Sequence, residues 1–317
     1  MKVFSRCLKA VAAADHGSLE VEYLLIDNNS QPDLSTYKEV QEFLAGCPNS
    51  RVIVEKRQGS GYALLCGFAN SQAPVIVTFG DDNEPDENYL TAAMDFAKRN
   101  PATGVFGPGI VKVEYVDGAK KYFDKYKWVF QELHLAEEKS GTTTDVYHEY
   151  YPAGTGMVAR RKVVENYCEA VTNGEISAVG RIGKTLTSCE DSQLVWLSLK
   201  KGFAAGRTPL LKLNHLINGK KANFRYWKRL SYGGGLSFLP ARYEIFPEEK
   251  KTVKNTGLEV RKSILRIGKV VVFNFYKPRF IIISIASQLG ILLSIYQIND
   301  KKPPKILVWL KNLLGLD

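Results

Sequence analysis

An α/β architecture, a mostly parallel sheet with helices on both faces followed by a basic, partly apolar helical C-terminal tail, is what this sequence predicts. Apolar strands alternate with amphipathic helices from residue 3 to residue 96, and uninterrupted apolar strands belong to sheets covered on both sides. Charge then changes sign along the chain. Residues 1–198 carry 20 Lys/Arg against 27 Asp/Glu, a net of −7, and residues 199–317 carry 23 against 6, a net of +17. Two apolar runs, 270–276 and 280–298, lie in the basic part.

Val3 to Ala14 reads as a helix, because Val3, Leu8, Val11 and Ala12 share a face. Residues 21–26 form a strand that ends in the polar run 27–30, and helical spacing returns from Leu34 to Leu44. A strand at 51–55 leads through a turn at Gly59 and Gly61 into a helix to Asn70. The apolar strand 75–79 runs into Gly80-Asp81-Asp82-Asn83, and Pro85 and Asp86 are expected to open the next helix, through Phe96. Residues 104–114 read as a strand pair broken at Gly107-Pro108-Gly109. Residues 119–139 read as an aromatic-rich helix, 191–200 as a strong helix and 222–238 as a basic, aromatic one. The change in character near residue 245 divides the chain into a catalytic domain, 1–245, and a tail, 246–317.

With 45% apolar residues in 317, the chain can bury a substantial core and is not of the disordered class. No internal repeat is visible. Its five cysteines, Cys7, Cys47, Cys66, Cys168 and Cys189, have neither CxxC spacing nor even number. That argues against a zinc site or a disulfide framework and fits a reducing compartment.

Chemistry concentrates in four places. Asp81 and Asp82 sit at the carboxyl end of an apolar strand, where open α/β sheets bind ligands. Adjacent carboxylates repel unless a cation lies between them, and Mg²⁺ or Mn²⁺ favours carboxylates shared with phosphate oxygens. The bland alternative is a helix cap at Asp82 or Asn83. Glu190 and Asp191 open a helix, where the macrodipole and amide donors are expected to keep Asp191 ionised. Arg57-Gln58-Gly59-Ser60-Gly61 is a glycine turn feeding a helix, suited to close approach by phosphate or ribose. It is not a dinucleotide fingerprint, since the third glycine would fall at Leu64. His215 stands in Leu213-Asn214-His215-Leu216-Ile217, either as a ligand or as a structural histidine.

In this order the motifs resemble those of the family-two glycosyltransferases, over roughly residues 3–240. The resemblance implies the GT-A type of Rossmann-like sheet and an inverting transfer from a nucleotide-diphosphate sugar to a glycan or lipid-linked acceptor, in cell-surface polysaccharide or glycoconjugate synthesis. Asp27 and Asn29 then match the strand end that meets the nucleobase. Arg57, Gly59 and Gly61 match the glycine segment, whose GxGxA form is similar to that of polyprenyl-phosphate mannose synthases. Gly80-Asp81-Asp82 resembles the DxD metal motif with Gly80 in place of its first Asp, leaving Asp82 as metal ligand and Asp81 on the ribose. Tyr151 to Met157 resembles the acceptor loop, giving Gly154, Thr155 and Gly156 as acceptor contacts. Thr187 to Asp191 resembles the Gly-Glu-Asp motif with Cys189 for Gly, making Asp191 the base and Glu190 its companion. His215 resembles the late histidine near the diphosphate and metal, with Arg225 as a further donor contact. The family opens on a central strand ahead of the first helix, whereas this sequence opens on the helix. The strand is therefore expected between those at 21–26 and 75–79, and either a start further upstream or a reduced member of the family follows.

The tail points to an anionic membrane surface rather than nucleic acid, since its basic residues accompany apolar runs. Residues 280–298 are long enough to span, but Lys277 and Arg279 precede them and Lys301, Lys302 and Lys305 follow. Positive flanks on both sides fit a single crossing poorly. An in-plane or re-entrant segment at the cytoplasmic face is expected, with 306–310 as a second anchor. Two other classes compete: a non-catalytic sugar-nucleotide-binding or partner subunit, and an oxidoreductase, against which the failed glycine fingerprint counts.

Overall fold

The computed structural model describes residues 2–145, 147–177, 180–181, 186–253 and 256–316, the side chains of 251–253 and 256 excepted. Helix α1 (Lys2–Ala13) and helix α2 (Lys38–Gly46) enclose a small core with strands β1 (Tyr23–Asp27) and β2 (Ser50–Val54). Leu8, Val40, Phe43 and Cys47 are buried there against Tyr23, Leu25 and Val52. β1 and β2 pair in parallel as a two-stranded sheet of their own. Helix α3 (Ser60–Asn70) packs on β1, with Gly67 close to Ile26.

The second sheet has the order β3-β8-β5-β9-β4. Its strands are β3 (Val75–Thr78), β4 (Asn83–Pro85), β5 (Thr103–Tyr115), β8 (Met157–Arg160) and β9 (Ala204–Ile217). Two short strands join its edges, β6 (Leu133–His134) on β5 and β7 (Lys139–Gly141) on β9. The predicted parallel arrangement holds for β1–β2 and for the longest ladder, β5–β9. The other pairings are antiparallel, so the sheet is mixed. Among the described residues no ladder joins β1 to β3. Helices α4 (Tyr89–Arg99), α5 (Arg161–Thr172) and α6 (Glu190–Lys200) complete the body, and Leu194, Val195 and Trp196 of α6 lie in the main core.

Several local expectations are corrected. Pro85 does not open a helix: Asn83–Pro85 pairs with Leu213–His215, and α4 starts only at Tyr89. β4 is an edge strand, where a proline without an amide hydrogen is tolerated. Residues 103–115 form one strand rather than a broken pair. A Cβ on Gly109 would come within 2.7 Å of the Thr208–Pro209 backbone, so the Gly-Pro-Gly run permits close contact with β9 instead of a turn. Residues 121–130 are a 3₁₀ helix, and the rest of the expected helix becomes β6 and β7. The basic helix extends past Pro240 as α7 (Phe224–Ile245).

α1 is pinned to the large sheet by one guanidinium. Arg6 donates twice to Glu84 on β4 (2.9 and 2.7 Å) and twice to Glu114 on β5 (2.5 and 2.9 Å), and Asn214 donates to the same Glu84 at 2.9 Å. The tail comprises α8 (Thr256–Asn274), α9 (Pro278–Ile298) and α10 (Lys305–Leu313). α9 is the one described helix long and apolar enough to cross a membrane, and one side of it is packed inside the protein. Ile283, Ala286, Leu289, Leu292 and Ile295 are buried, and α9 packs along α7. Gly235 and Gly290 permit this approach: a Cβ on Gly290 would strike the Tyr232 carbonyl, and one on Gly235 the Ser287 carbonyl. Of the expected second anchor, Leu307 and Leu310 pack in the α7–α9 cluster, while Ile306 and Trp309 are exposed. Gly290→Val is expected to destabilise the protein by about 1–3 kcal/mol, the usual cost of overpacking, and to expose 278–298 to protease. An unchanged melting temperature and digestion pattern would contradict this packing.

Candidate active site

Asp27 ends β1 with its carboxylate buried. One oxygen accepts from the Ser30 amide and the other from the Leu34 amide, both at 2.8 Å. Burial works against the charge, but these donors outweigh it and hold the carboxyl below its ordinary range. Next to it Asn28 reaches across to the glycine segment. Its side-chain nitrogen donates to the carbonyls of Glu55 (3.2 Å) and Arg57 (2.7 Å), and its oxygen accepts from the Gly59 amide at 2.8 Å. Asn29 adopts a left-handed conformation, φ 61°. Arg57 is forked onto Glu55 at 2.7 and 3.0 Å, which drops the Glu55 carboxyl to about 2, and its guanidinium lies 4.7 Å over the Tyr62 ring. Gly59, at φ 142°, makes the turn into α3 that a side chain would strain.

The acid pair lies between β3 and β4. β-register explains why His215 meets it: Asn83 pairs directly with His215, and the Leu216 amide donates to the Asp82 carbonyl at 2.8 Å. His215 Nδ1 donates to the Phe130 carbonyl at 2.8 Å, which leaves Nε2 facing Asp82 Oδ2 at 3.5 Å. Lys221 Nζ approaches the same oxygen at 3.8 Å. Burial opposes the charge on Asp82, yet His215 and Lys221 overcome it and the carboxyl is lowered. Asp81 behaves oppositely, raised by lost solvation and by its charged neighbour Asp82.

Asn83 is 1% exposed and joins this region to the loop 154–156. Its oxygen accepts from the amides of Gly80 (3.0 Å) and Gly156 (3.2 Å), and its nitrogen donates to Asp82 at 3.0 Å. Gly156 is left-handed, φ 67°, and no Cβ fits there between Tyr89 and Leu213. Two residues earlier, the Gly154 amide donates to Asp191 Oδ2 at 2.9 Å. Thr155, buried between them, completes a loop fixed to Asn83 at one end and to Asp191 at the other.

Asp191 stands at the start of α6, and its second oxygen accepts from the Ser192 amide at 2.7 Å. The expected amide donors are present, but they are not the largest influence on its carboxyl. Burial and the charge of Glu190 raise it, and the Gly154 and Ser192 amides only moderate the rise. Glu190 is fully engaged. It accepts from Ser60 Oγ at 2.5 Å, from the Cys189 amide at 2.9 Å and from Ser188 Oγ at 3.2 Å. Ser60 Oγ in turn accepts from the Arg181 amide at 2.9 Å, so the glycine segment and the start of α6 are linked.

The fold thus brings Asp81, Asp82, His215, Gly154, Thr155, Gly156, Glu190 and Asp191 into one connected set, with Gly59 and Gly61 joined to it through Ser60. Asp27 and Arg57 are committed to neighbouring groups, and Arg225 is exposed on α7. Asn28, Ser60, Asn83 and Lys221 are participants that motif reading passes over. Asn83 alone had a signal, lying directly after the acid pair.

Among the described residues no three His, Cys, Asp or Glu side chains converge as a complete metal shell. The donors nevertheless fit a cation shared with phosphate. Nε2 of His215 is fixed toward Asp82 by the Phe130 carbonyl, as for many metal-bound imidazoles, and the Asp81–Asp82 repulsion is the kind a divalent ion relieves.

Comparison with known proteins follows this geometry. The sequence profile described as Glycosyl transferase family 2 matches residues 2–168, ending before Glu190, Asp191 and His215. A search of characterised proteins returns no sequence match. The structure is similar to the mannosyltransferase PcManGT from Pyrobaculum calidifontis, in complex with GDP-Man and Mn²⁺. The identity is 14%, covering 95% of this chain and 84% of that one, with a TM-score of 0.54. It also matches S. aureus TarS 1-349 at 12% identity, 96% and 89% coverage and TM-score 0.45. Against S. aureus TarS the values are 13% identity, 73% of this chain and TM-score 0.44, and the chain spans 37% of that protein's length. At such identities the likeness to PcManGT concerns the fold. The profile match, covering more than half of the sequence, carries the assignment: the chain belongs to glycosyl transferase family 2.

Proposed function

We propose that this glycosyltransferase transfers a hexose with inversion from a nucleoside-diphosphate donor to an acceptor hydroxyl, in glycan or lipid-linked glycoconjugate synthesis at the cell surface. One observation carries the reading. The loop 154–156 is held between Asp191 and Asn83, which sets a base on one side and the Asp82–His215–Lys221 group on the other. Asp191 takes the proton of the acceptor hydroxyl as its oxygen bonds to the anomeric carbon. The bond from that carbon to the donor phosphate breaks, and the nucleoside diphosphate leaves. His215 and Lys221 face the departing phosphates. A divalent ion, Mg²⁺ or Mn²⁺, would be held by Asp82 and His215 and would supply positive charge for the diphosphate. Support for a metal comes from the donor chemistry here and from the Mn²⁺ bound to PcManGT. Glu190, saturated by Ser60, Ser188 and Cys189, is a positioning residue that orients the start of α6 and raises its neighbour.

Asp191→Asn keeps size and hydrogen-bonding capacity. Transfer is expected to fall by roughly 10²–10⁴-fold, the worth of a positioned base, with nucleotide affinity and melting temperature nearly unchanged. A rate within a few-fold of the parent would remove Asp191 from the reaction.

The base must be ionised, and its charged form disappears as pH falls through a raised value. The acid limb of kcat/KM is therefore expected above the ordinary aspartate range, and Glu190→Gln, which removes a neighbouring negative charge, should move it to lower pH. A limb that stays in place in this variant would show that Glu190 does not tune the base.

Nucleoside-diphosphate binding measured calorimetrically should weaken when a chelator is added, and Asp82→Asn should abolish that difference. Equal affinity of the parent with and without chelator would exclude the metal assignment.

A further inference from the structure

The tail carries an apolar surface that the body leaves uncovered, and it lies on α8 rather than α9. α8 packs against α9 with Ser263 buried and Ile267 and Val270 half-buried. On the exposed side Ile264 and Val271, and beside them Leu265 and Val272, repeat at two-turn spacing on one stripe. Leu265 is 66% and Val272 67% exposed. The helix ends in an aromatic turn, with Phe273 72%, Phe275 76% and Tyr276 62% exposed. Isolated exposed apolar residues are ordinary, but a contiguous stripe of this kind marks an interaction surface.

Basic residues border the stripe. Arg261, Arg266 and Lys269 are exposed, and none pairs with a carboxylate among the described residues. Lys262 pairs with Glu259 at 2.6 Å. Lys277 lies 4.8 Å from the centre of the Tyr276 ring. An apolar stripe flanked by Lys and Arg, with aromatic side chains at one end, is the composition of a helix that lies in the headgroup region of an anionic bilayer. A second copy would bring the same basic band against itself. A nucleic acid would take the cations but leave the apolar stripe in water. The net +17 of residues 199–317 adds long-range attraction to an anionic leaflet.

We propose that the exposed face of α8, with the aromatic turn 273–276, docks the protein peripherally on an anionic lipid bilayer. The docking also orients the active site. Arg279, just beyond the turn, sits 4.6 Å over Phe224 and 5.9 Å over Tyr122. Phe224 begins α7 three residues after Lys221, which faces Asp82. The Lys221 edge of the site is thereby held near the bilayer plane. Vesicle binding is read without turnover, so its failure is distinguishable from failure of the transfer reaction.

The test is sedimentation of the full chain with phosphatidylcholine vesicles and with vesicles that also contain phosphatidylglycerol, at low and high salt. Binding is expected only with phosphatidylglycerol and should weaken with salt. Leu265→Glu with Val272→Glu should lower the vesicle affinity by roughly 100-fold or more, since two aliphatic side chains would no longer leave water. Arg266→Glu with Lys269→Glu should lower it on the order of tenfold. All four positions are exposed, so the melting temperature should hold in both variants. The proposal is overturned if the parent stays in the supernatant with both vesicle types, if it binds neutral vesicles equally well, or if both variants bind as the parent does. It is equally overturned if the parent is a dimer without vesicle affinity that Leu265→Glu with Val272→Glu makes monomeric.

Discussion

The carboxamide of Asn83 is the junction on which the site depends. Buried at the start of β4, it accepts from Gly80 and Gly156 and donates to Asp82. The contacts reach the strand-end turn, the acid pair and the loop 154–156. Only a side chain with both a donor and an acceptor end can make all three bonds. Aspartate at this position could not donate to Asp82 and would set a third carboxylate beside two others. Cys7 of α1 adds a thiol donor to the Asn83 carbonyl, so the first helix, already fixed by Arg6, bears on the same point.

Two carboxylates in this set are driven in opposite directions. Asp82 is drawn down by His215 and Lys221, whereas Asp191 is raised by burial and by Glu190. Environments that separate acids in this way commonly mark different duties. A low carboxyl keeps its charge and holds cations. A raised one is a stronger base for a hydroxyl proton, at the expense of a smaller ionised fraction in acid. The intervening loop donates one amide toward each half, from Gly154 to Asp191 and from Gly156 to Asn83, so neither half can shift without moving the other.

What was legible in the sequence was local. Apolar strands ending in Asp27 and in Gly80-Asp81, the glycine turn before α3, and the acids opening α6 can each be read within a few residues, and they form where expected. The pairing of Asn83 with His215 cannot be read so, because it depends on a register between segments far apart in the chain. Local preference even misled at Pro85, which favours a helix start but sits in an edge strand because β9 supplies its partners. The surroundings of Asp191 were legible only in part for a related reason. Helix position predicts its amide donors correctly, but not the burial that outweighs them. The packing of α9 on α7 could not be read locally either, because Gly235 and Gly290, which permit it, lie on two different helices.

Helix α7 is where tail and active site become one structure. Its cap Asn223 accepts from the Tyr226 amide, fixing the helix start just beyond Lys221. Midway, Ser237 Oγ donates to the Gly233 carbonyl at 2.9 Å and accepts from the Ser188 amide at 3.4 Å. That segment leads directly into Glu190 and Asp191. The face with Gly235 holds α9. Helix α7 therefore joins the α9 packing face to Lys221 just ahead of its start and to Ser188 at its middle. A tail joined through a flexible linker would share no packing with the body, whereas α7 carries its contacts to α9 and to the Ser188 segment on one helix.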